Sequence, residues 1–255
     1  MINKTTGIVM RVSPFSKTSH VVTWLTSDHG KISTAVKGAV RPKSAFLGQY
    51  DLFYSCEVLY YARERGGAHI LRECSPLNTR HLLRTDWRAV SCASYFCDLA
   101  SRSCPPGAPN REFFHLLDRT LTLLCQKCAS IPTLLWFELK AMDVTGLAPR
   151  LLGCLDCNRP LPEDDSAVEF SCSRGGVLCA RCAGNRAGSA LTSISGRTLV
   201  IMQKLQESSS PDNGESADIA GPDLIQIANL LGAFLEYHAH SSLPSRAIAM
   251  ELLLG

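Results

Sequence analysis

Two Cys-x-x-Cys pairs, Cys154-Leu155-Asp156-Cys157 and Cys179-Ala180-Arg181-Cys182, are separated by 21 residues. Each pair can offer two thiolates to one ion, and the connecting loop can bring the pairs into a tetrahedron, the closed arrangement that zinc takes in structural sites. One Zn2+ held by these four sulfurs would have no position left for water, so it would hold structure and perform no chemistry. A redox dithiol is the competing chemistry, but one redox motif needs no second, and neither pair sits in a βαβ pattern. Cys172, in FSCSRGGVLC between the pairs, is a fifth thiol able to replace one ligand. Gly175-Gly176, ahead of Cys179, supply the backbone freedom of a tight metal knuckle.

The second group with a chemical use is basic. Arg11, Lys17, Lys31, Lys37, Arg41 and Lys43 stand against a single acid, Asp28, between residues 11 and 43. The net charge of +3 hides this asymmetry: residues 1 to 77 hold ten Lys and Arg against five Asp and Glu, leaving the rest near −2. Long cationic side chains in turns reach phosphates without disturbing a core, which makes these six the candidate nucleic-acid contacts. A merely solvated surface is the alternative that charge alone leaves open. Trp24, Phe46, Tyr50, Phe53, Tyr54, Tyr60 and Tyr61 could add stacking surfaces, although alternation along strands should bury most of them. Catalysis finds no comparable support. The chain has no G-x-x-x-x-G-K-[ST], H-E-x-x-H, G-x-S-x-G or G-x-G-x-x-G motif, and Asp51, Glu57, Glu64 and Glu73 are dispersed. No catalytic residue is therefore assigned.

The elements that must position these groups follow from periodicity. Ile8, Met10 and Val12 alternate, HVVTWLTS is β-branched and aromatic, and Asp28-His29-Gly30 turns the chain into KISTAVKG. The runs YDLFYSCEVLYY and AHILREC complete five strands, as a small barrel of the OB type requires. From residue 78 the period becomes helical: Leu83, Trp87, Val90 and Cys97 share one face, as do Phe113, Leu117, Leu121 and Leu124. A third helix runs from about Pro132 to Gly146, and helical spacing resumes near Ser195 and at Leu224. The expected class is α+β, with an OB-fold nucleic-acid-binding domain over 1–78 and a helical domain over 79–255 carrying the zinc finger at about 150–186. The polar stretch at 208–222 is expected to be a surface loop. Single cysteines such as Cys56, Cys92 and Cys97 lie in apolar patterns and should be buried thiols. MINKTTGIVM lacks the pattern of a secretory signal, and no apolar run reaches 18 residues, so a cytoplasmic protein without a membrane span is expected.

Together these parts resemble the RecO family of bacterial recombination mediators. The matching stretches are IVMRVSPFSKTSHVVTWLT, DHGKISTAVKGAVRPKSAFLGQYDLF, the L-x-x-C-x-x-C and G-G-V-L-C-x-x-C halves of the clip, and LPSRAIAMELL near the end. The resemblance covers nearly the whole chain and implies an N-terminal OB-fold, a helical C-terminal domain and a zinc finger. It implies binding of single- and double-stranded DNA and annealing of strands coated by single-stranded DNA-binding protein. It also implies contact with the C-terminal tail of that protein, and work with RecR to load RecA. A groove near Arg119, Lys127 and Lys140 would suit the acidic tail. A zinc-ribbon enzyme acting on nucleic acid and a protein-interaction scaffold are the alternatives from other classes.

Overall fold

The computed structural model describes the chain except residues 64–65, 128, 162–165, 186–189, 212–218 and 240–242. Five strands, β1 (Ile2–Ser16), β2 (Ser19–Thr26), β3 (Gly30–Val36), β4 (Ser55–Tyr61) and β5 (His69–Asn78), close into a barrel in the order β1-β2-β3-β5-β4. Neighbours are antiparallel except β3 and β5, which meet in parallel through Thr34↔His69 and Ala35↔Ile70. This is the OB-fold barrel that the strand pattern predicts. The two-residue period of β2 and β3 turns Val22, Trp24, Ile32 and Val36 into its interior, beside Val58, Tyr60 and Leu71. The indole N–H of Trp24 donates to Thr34 Oγ1 at 2.9 Å, so the largest core side chain leaves no buried donor unpaired.

β1 departs from simple alternation, because Ile8, Val9 and Met10 are all buried. A bulge between Val9 and Arg11 breaks the register, and a helix, α1 (Trp87–Ser103), packs against the strand. β4 begins at Ser55 rather than Tyr50. Phe53 has φ 70°, which ends any extended run there, and Phe53 N–H to Val9 O and Val9 N–H to Tyr54 O, each 2.9 Å, lay this turn on β1. Gly30 is required at the β2–β3 turn: its φ is 64°, and a Cβ there would stand 2.2 Å from the Ala108 carbonyl oxygen.

Two compact units divide the chain, the first holding Met1–Ala129 and Leu243–Leu253, the second Ser130–Ser242. Beside the barrel the first unit contains α1, α2 (Arg111–Gln126) and all but the last residue of α7 (Pro244–Leu254). Asp86 and Asn110 cap the first two of these helices, accepting from the N–H groups of Arg88 and Phe113 at 2.9 Å each. The α2 face predicted from Phe113, Leu117, Leu121 and Leu124 is buried. In α1, Trp87 is exposed instead, with the Arg88 guanidinium 5.0 Å from its ring. α7 is held by Ser245 Oγ donating to Asp98 at 2.7 Å and Arg88 Nε donating to Leu252 O at 3.0 Å.

In the second unit α3 (Ile131–Val144) carries Pro132 in its first turn and ends before Gly146, at φ 74°, as the sequence predicts. It packs with α5 (Gly196–Glu207) and α6 (Gly221–Ala239). A small sheet in the order β7-β6-β8 is formed by β6 (Val168–Ser171), β7 (Gly176–Leu178) and β8 (Thr192–Ile194), and a single turn, α4 (Ala180–Gly184), follows β7. Residues 212–218 of the polar loop predicted at 208–222 lie outside the described residues.

The described cysteines are free thiols, and Cys56, Cys92 and Cys97 are buried. Burial pushes Cys92 and Cys97 up to about 12, which leaves them un-ionised and inert. No helix among the described residues is long and apolar enough to cross a membrane.

The first unit also contains one buried cation. Arg80 has φ 42° and only 1% of its side chain exposed; it donates to the Phe53 carbonyl and to Asp118, whose Oδ1 lies 2.5 Å from Nη2. Asp118 Oδ1 also accepts from Ser55 Oγ at 2.6 Å. Arg80→Met keeps the length of the side chain but deletes its donors. Because Asp118 stays partly hydrated, the loss should fall at the low end for a broken buried pair, about 3 kcal/mol. A urea titration should show a lower midpoint at unchanged slope.

Candidate nucleic-acid interface and metal centre

In the first unit a groove of about 570 Å³ crosses the outer surface of the barrel. Its lining comes from four places in the chain. The β1–β2 hairpin tip supplies Phe15, Ser16, Thr18 and Ser19, the β2–β3 face Val21 and Ala35, the following turn Lys37, Gly38 and Arg41, and the β4–β5 connection Arg63 and Ala68. Among the described lining residues three are cationic and none is acidic; Glu64, next to Arg63, lies outside the described residues. Cross-strand pairing explains the open floor. Ser13↔Val21↔Ala35 and Arg11↔Thr23↔Ser33 form successive rows on the outer face, made of small side chains apart from Arg11.

The turn that carries Lys37 and Arg41 is tied to the hairpin. Gly38 N–H donates to Ser19 Oγ at 3.3 Å, Val40 N–H to Thr18 O at 3.4 Å, and Arg41 N–H closes the turn onto Gly38 O at 3.2 Å. Gly38, at φ 68°, supplies the left-handed residue that this bend requires.

The structure brings Lys37 and Arg41 together on the groove and places Arg11 one row away, about 7 Å along the strand by the rise of two residues. Lys17, in the hairpin turn, and Lys43, in the next turn, are exposed near these elements but do not line the groove. Lys31 has another role: its ammonium donates to the Ser101 carbonyl at the C-terminal end of α1, where a cation meets unpaired carbonyls. Arg63 and Phe15 are groove residues that the sequence pattern does not reveal. Arg63 stands outside the 11–43 cluster, and Phe15 adjoins a proline in what reads as a plain strand. Of the proposed stacking residues, Trp24, Phe53 and Tyr60 are buried, Phe46, Tyr50 and Tyr54 pack against the barrel core, and Tyr61 is exposed beside Arg72.

The second unit carries the sulfur cluster. The Sγ atoms of Cys154, Cys157, Cys179 and Cys182 all lie within 4.8 Å of one another. Backbone pairing assembles them: Leu155 N–H donates to Val177 O at 2.9 Å, Cys154 N–H to Arg159 O at 3.0 Å, and Arg150 N–H to Gly175 O at 2.8 Å. Gly176 is required there, since a Cβ would meet the Arg150 carbonyl oxygen at 2.4 Å. Cys179 N–H also points at Cys154 Sγ, 3.4 Å away. An Arg174–Asp156 ion pair of 2.6 Å stands beside the cluster.

With protons alone the four thiols conflict. Burial opposes the Cys154 thiolate, yet the N–H groups of Cys157, Cys179 and Asp156 bring it down to about 6. Cys182 is pushed up to about 12 by its hydrogen bond with Cys179, by burial and by Cys154 and Cys157. A cation among the four sulfurs would favour their thiolate forms, and the cluster is positioned to bind a metal ion. Cys172 lies in the β6–β7 turn outside this group, its carbonyl 3.1 Å from His238 Nε2 and its thiol pushed up by burial. Serine at any of the four positions should reduce bound metal below one equivalent, read by elemental analysis, and expose the Cys154–Cys182 segment to protease. Cys172→Ser should keep both the metal and the protease resistance.

Comparison with known proteins is consistent along the chain. Residues 1–80 match the family model described as recombination protein O N terminal, and residues 84–247 match recombination protein O C terminal. A DNA repair protein RecO of Anaeromyxobacter sp. (strain K) is 34% identical, the match covering 99% of this chain and 98% of that protein. Similar proteins of the same description occur in Alkaliphilus metalliredigens, at 33% identity over 72% of this chain and 73% of the relative, and in Moorella thermoacetica, at 28% over 96% and 90%.

Proposed function

This chain belongs to the RecO family of DNA repair proteins, and we propose that it works as a non-catalytic, cytoplasmic DNA-binding mediator. In this reading it anneals single strands coated by single-stranded DNA-binding protein, engages the tail of that protein, and assists RecA loading together with RecR. The observation that carries the DNA-binding part is the groove on the barrel face, with Lys37, Arg41 and Arg63 around a floor of small side chains and no acid among its described lining residues. The β2–β3 face with its flanking β1–β2 and β4–β5 connections is where OB-folds receive oligonucleotides. Cations at the rim neutralise phosphates, while the shallow floor leaves room for an extended strand.

Arg11, Lys17 and Lys43 extend this positive surface in the proposal, and Lys31 supports the fold beneath it. The metal is assigned as one structural Zn2+. A tetrahedral centre with Zn–S of about 2.3 Å separates its sulfurs by about 3.8 Å; Cys157 Sγ and Cys179 Sγ are 3.9 Å apart. Four thiolates leave no site for an activated water, in keeping with a protein that binds and cuts nothing.

Replacing Lys37, Arg41 and Arg63 together by Ala should weaken oligonucleotide binding with little regard to sequence. The plot of log affinity against log salt should flatten by up to ~2 units, at about 0.7 for each phosphate that is no longer neutralised. The same variant should anneal complementary strands pre-coated with single-stranded DNA-binding protein more slowly than the parent. An unchanged salt slope and annealing rate in a normally folded triple variant would overturn the groove as the DNA site.

A further inference from the structure

Phe15 is out of place for a side chain whose only task is to build a barrel. It is 70% exposed, yet it lines the groove with Lys37, Arg41 and Arg63. The strand is irregular at this residue: β1 pairs Pro14 with His20 and Ser16 with Ser19, so Phe15 is the extra residue of a bulge. A bulge re-aims the side chain it carries, and here it takes the ring out of the alternation that would point it along the strand face. No other aromatic ring among the described residues stacks on it. An exposed ring beside three cations and above a floor of small side chains has the makeup of a single-strand site, in which the rim neutralises phosphates and the ring receives the face of an unstacked base.

We propose that Phe15 is a base-stacking platform of the groove, which makes this site selective for single strands over duplex. The proposal rests on the groove being the DNA site. In a duplex the bases are already stacked on one another and their faces are closed to the ring, whereas in a single strand a base can turn out onto it. Phosphate contacts at the rim are common to both forms, so the discrimination comes from the ring. An acidic peptide with an apolar side chain is the other macromolecule that such a groove could accept, but the bulge presents one flat ring at a rim of point charges, an arrangement that suits a base and its flanking phosphates.

The test compares the full-length protein with Phe15→Ala, Phe15→Trp and the Lys37, Arg41 and Arg63 triple variant. Each is titrated at two salt concentrations with an oligothymidylate, an abasic strand of equal length and a duplex. Phe15→Ala should lose about tenfold in affinity for the oligothymidylate, within the range expected when one base stack is removed, and nothing for the abasic strand or the duplex, with the salt slope kept. Phe15→Trp should restore binding. Phe15→Ala binding the oligothymidylate as the parent does, while the triple variant loses salt slope, would overturn the platform and leave the groove standing. Neither variant changing would remove the groove as well. Equal losses on the abasic strand, or a Phe15→Ala protein that loses only a competing acidic peptide, would likewise overturn the assignment to a base.

Discussion

The guanidinium of Arg80 is held between the turn before β4 and α2 with almost none of its surface in water. It donates to the Phe53 carbonyl, which holds the left-handed turn before β4, and to the carboxylate and carbonyl of Asp118 on α2. Ser55, the first residue of β4, binds the same carboxylate. A buried cation of this kind is costly unless every donor finds a partner. Its partners are fixed in turn by Val9, whose N–H and C=O both pair with the 53–54 turn. The start of β4 and the α2 carboxylate thus share one buried charge, added to the backbone pairing of β1 with β4.

β3 and β5 share only two residue pairs, and β1 slips register between Pro14 and Ser16. The groove spans this loosely paired region. A turn tied to the hairpin by Ser19 and Thr18 carries Lys37 and Arg41, so the cations are set by backbone hydrogen bonds and their long side chains stay free to follow a phosphate. Lys31 shows the contrary case: a residue of the same type, six positions earlier, is drawn to the end of α1 and serves the fold.

The sulfur cluster works on another principle. Backbone pairing brings four sulfurs from two distant Cys-x-x-Cys pairs within 4.8 Å of one another, positioned to bind a metal ion. Backbone N–H groups aimed at Cys154 favour its thiolate, the form that a metal ion binds.

The sequence by itself determined what depends on local pattern and spacing. The five strands of the barrel, the capped helix α3 and the pairing of the four cysteines were legible, because period, Pro and Gly placement and Cys-x-x-Cys spacing act within a few residues; the small sheet of β6, β7 and β8 was not. The two pairs needed only a loop long enough to close. Which basic residues meet was not legible. Arg63 joins Lys37 and Arg41 because β5 lies next to β3 in the barrel, a long-range pairing that leaves no trace in the charge pattern. Lys31 leaves the basic set because α1 ends beside it, and Phe53 and Arg80 take left-handed backbone because a buried hydrogen-bond network holds them there. Phe15 reads as one more residue of a strand until the bulge is seen, since a one-residue register shift is set by the partner strand. Those decisions belong to tertiary structure because each one turns on a neighbour that the local sequence pattern does not specify.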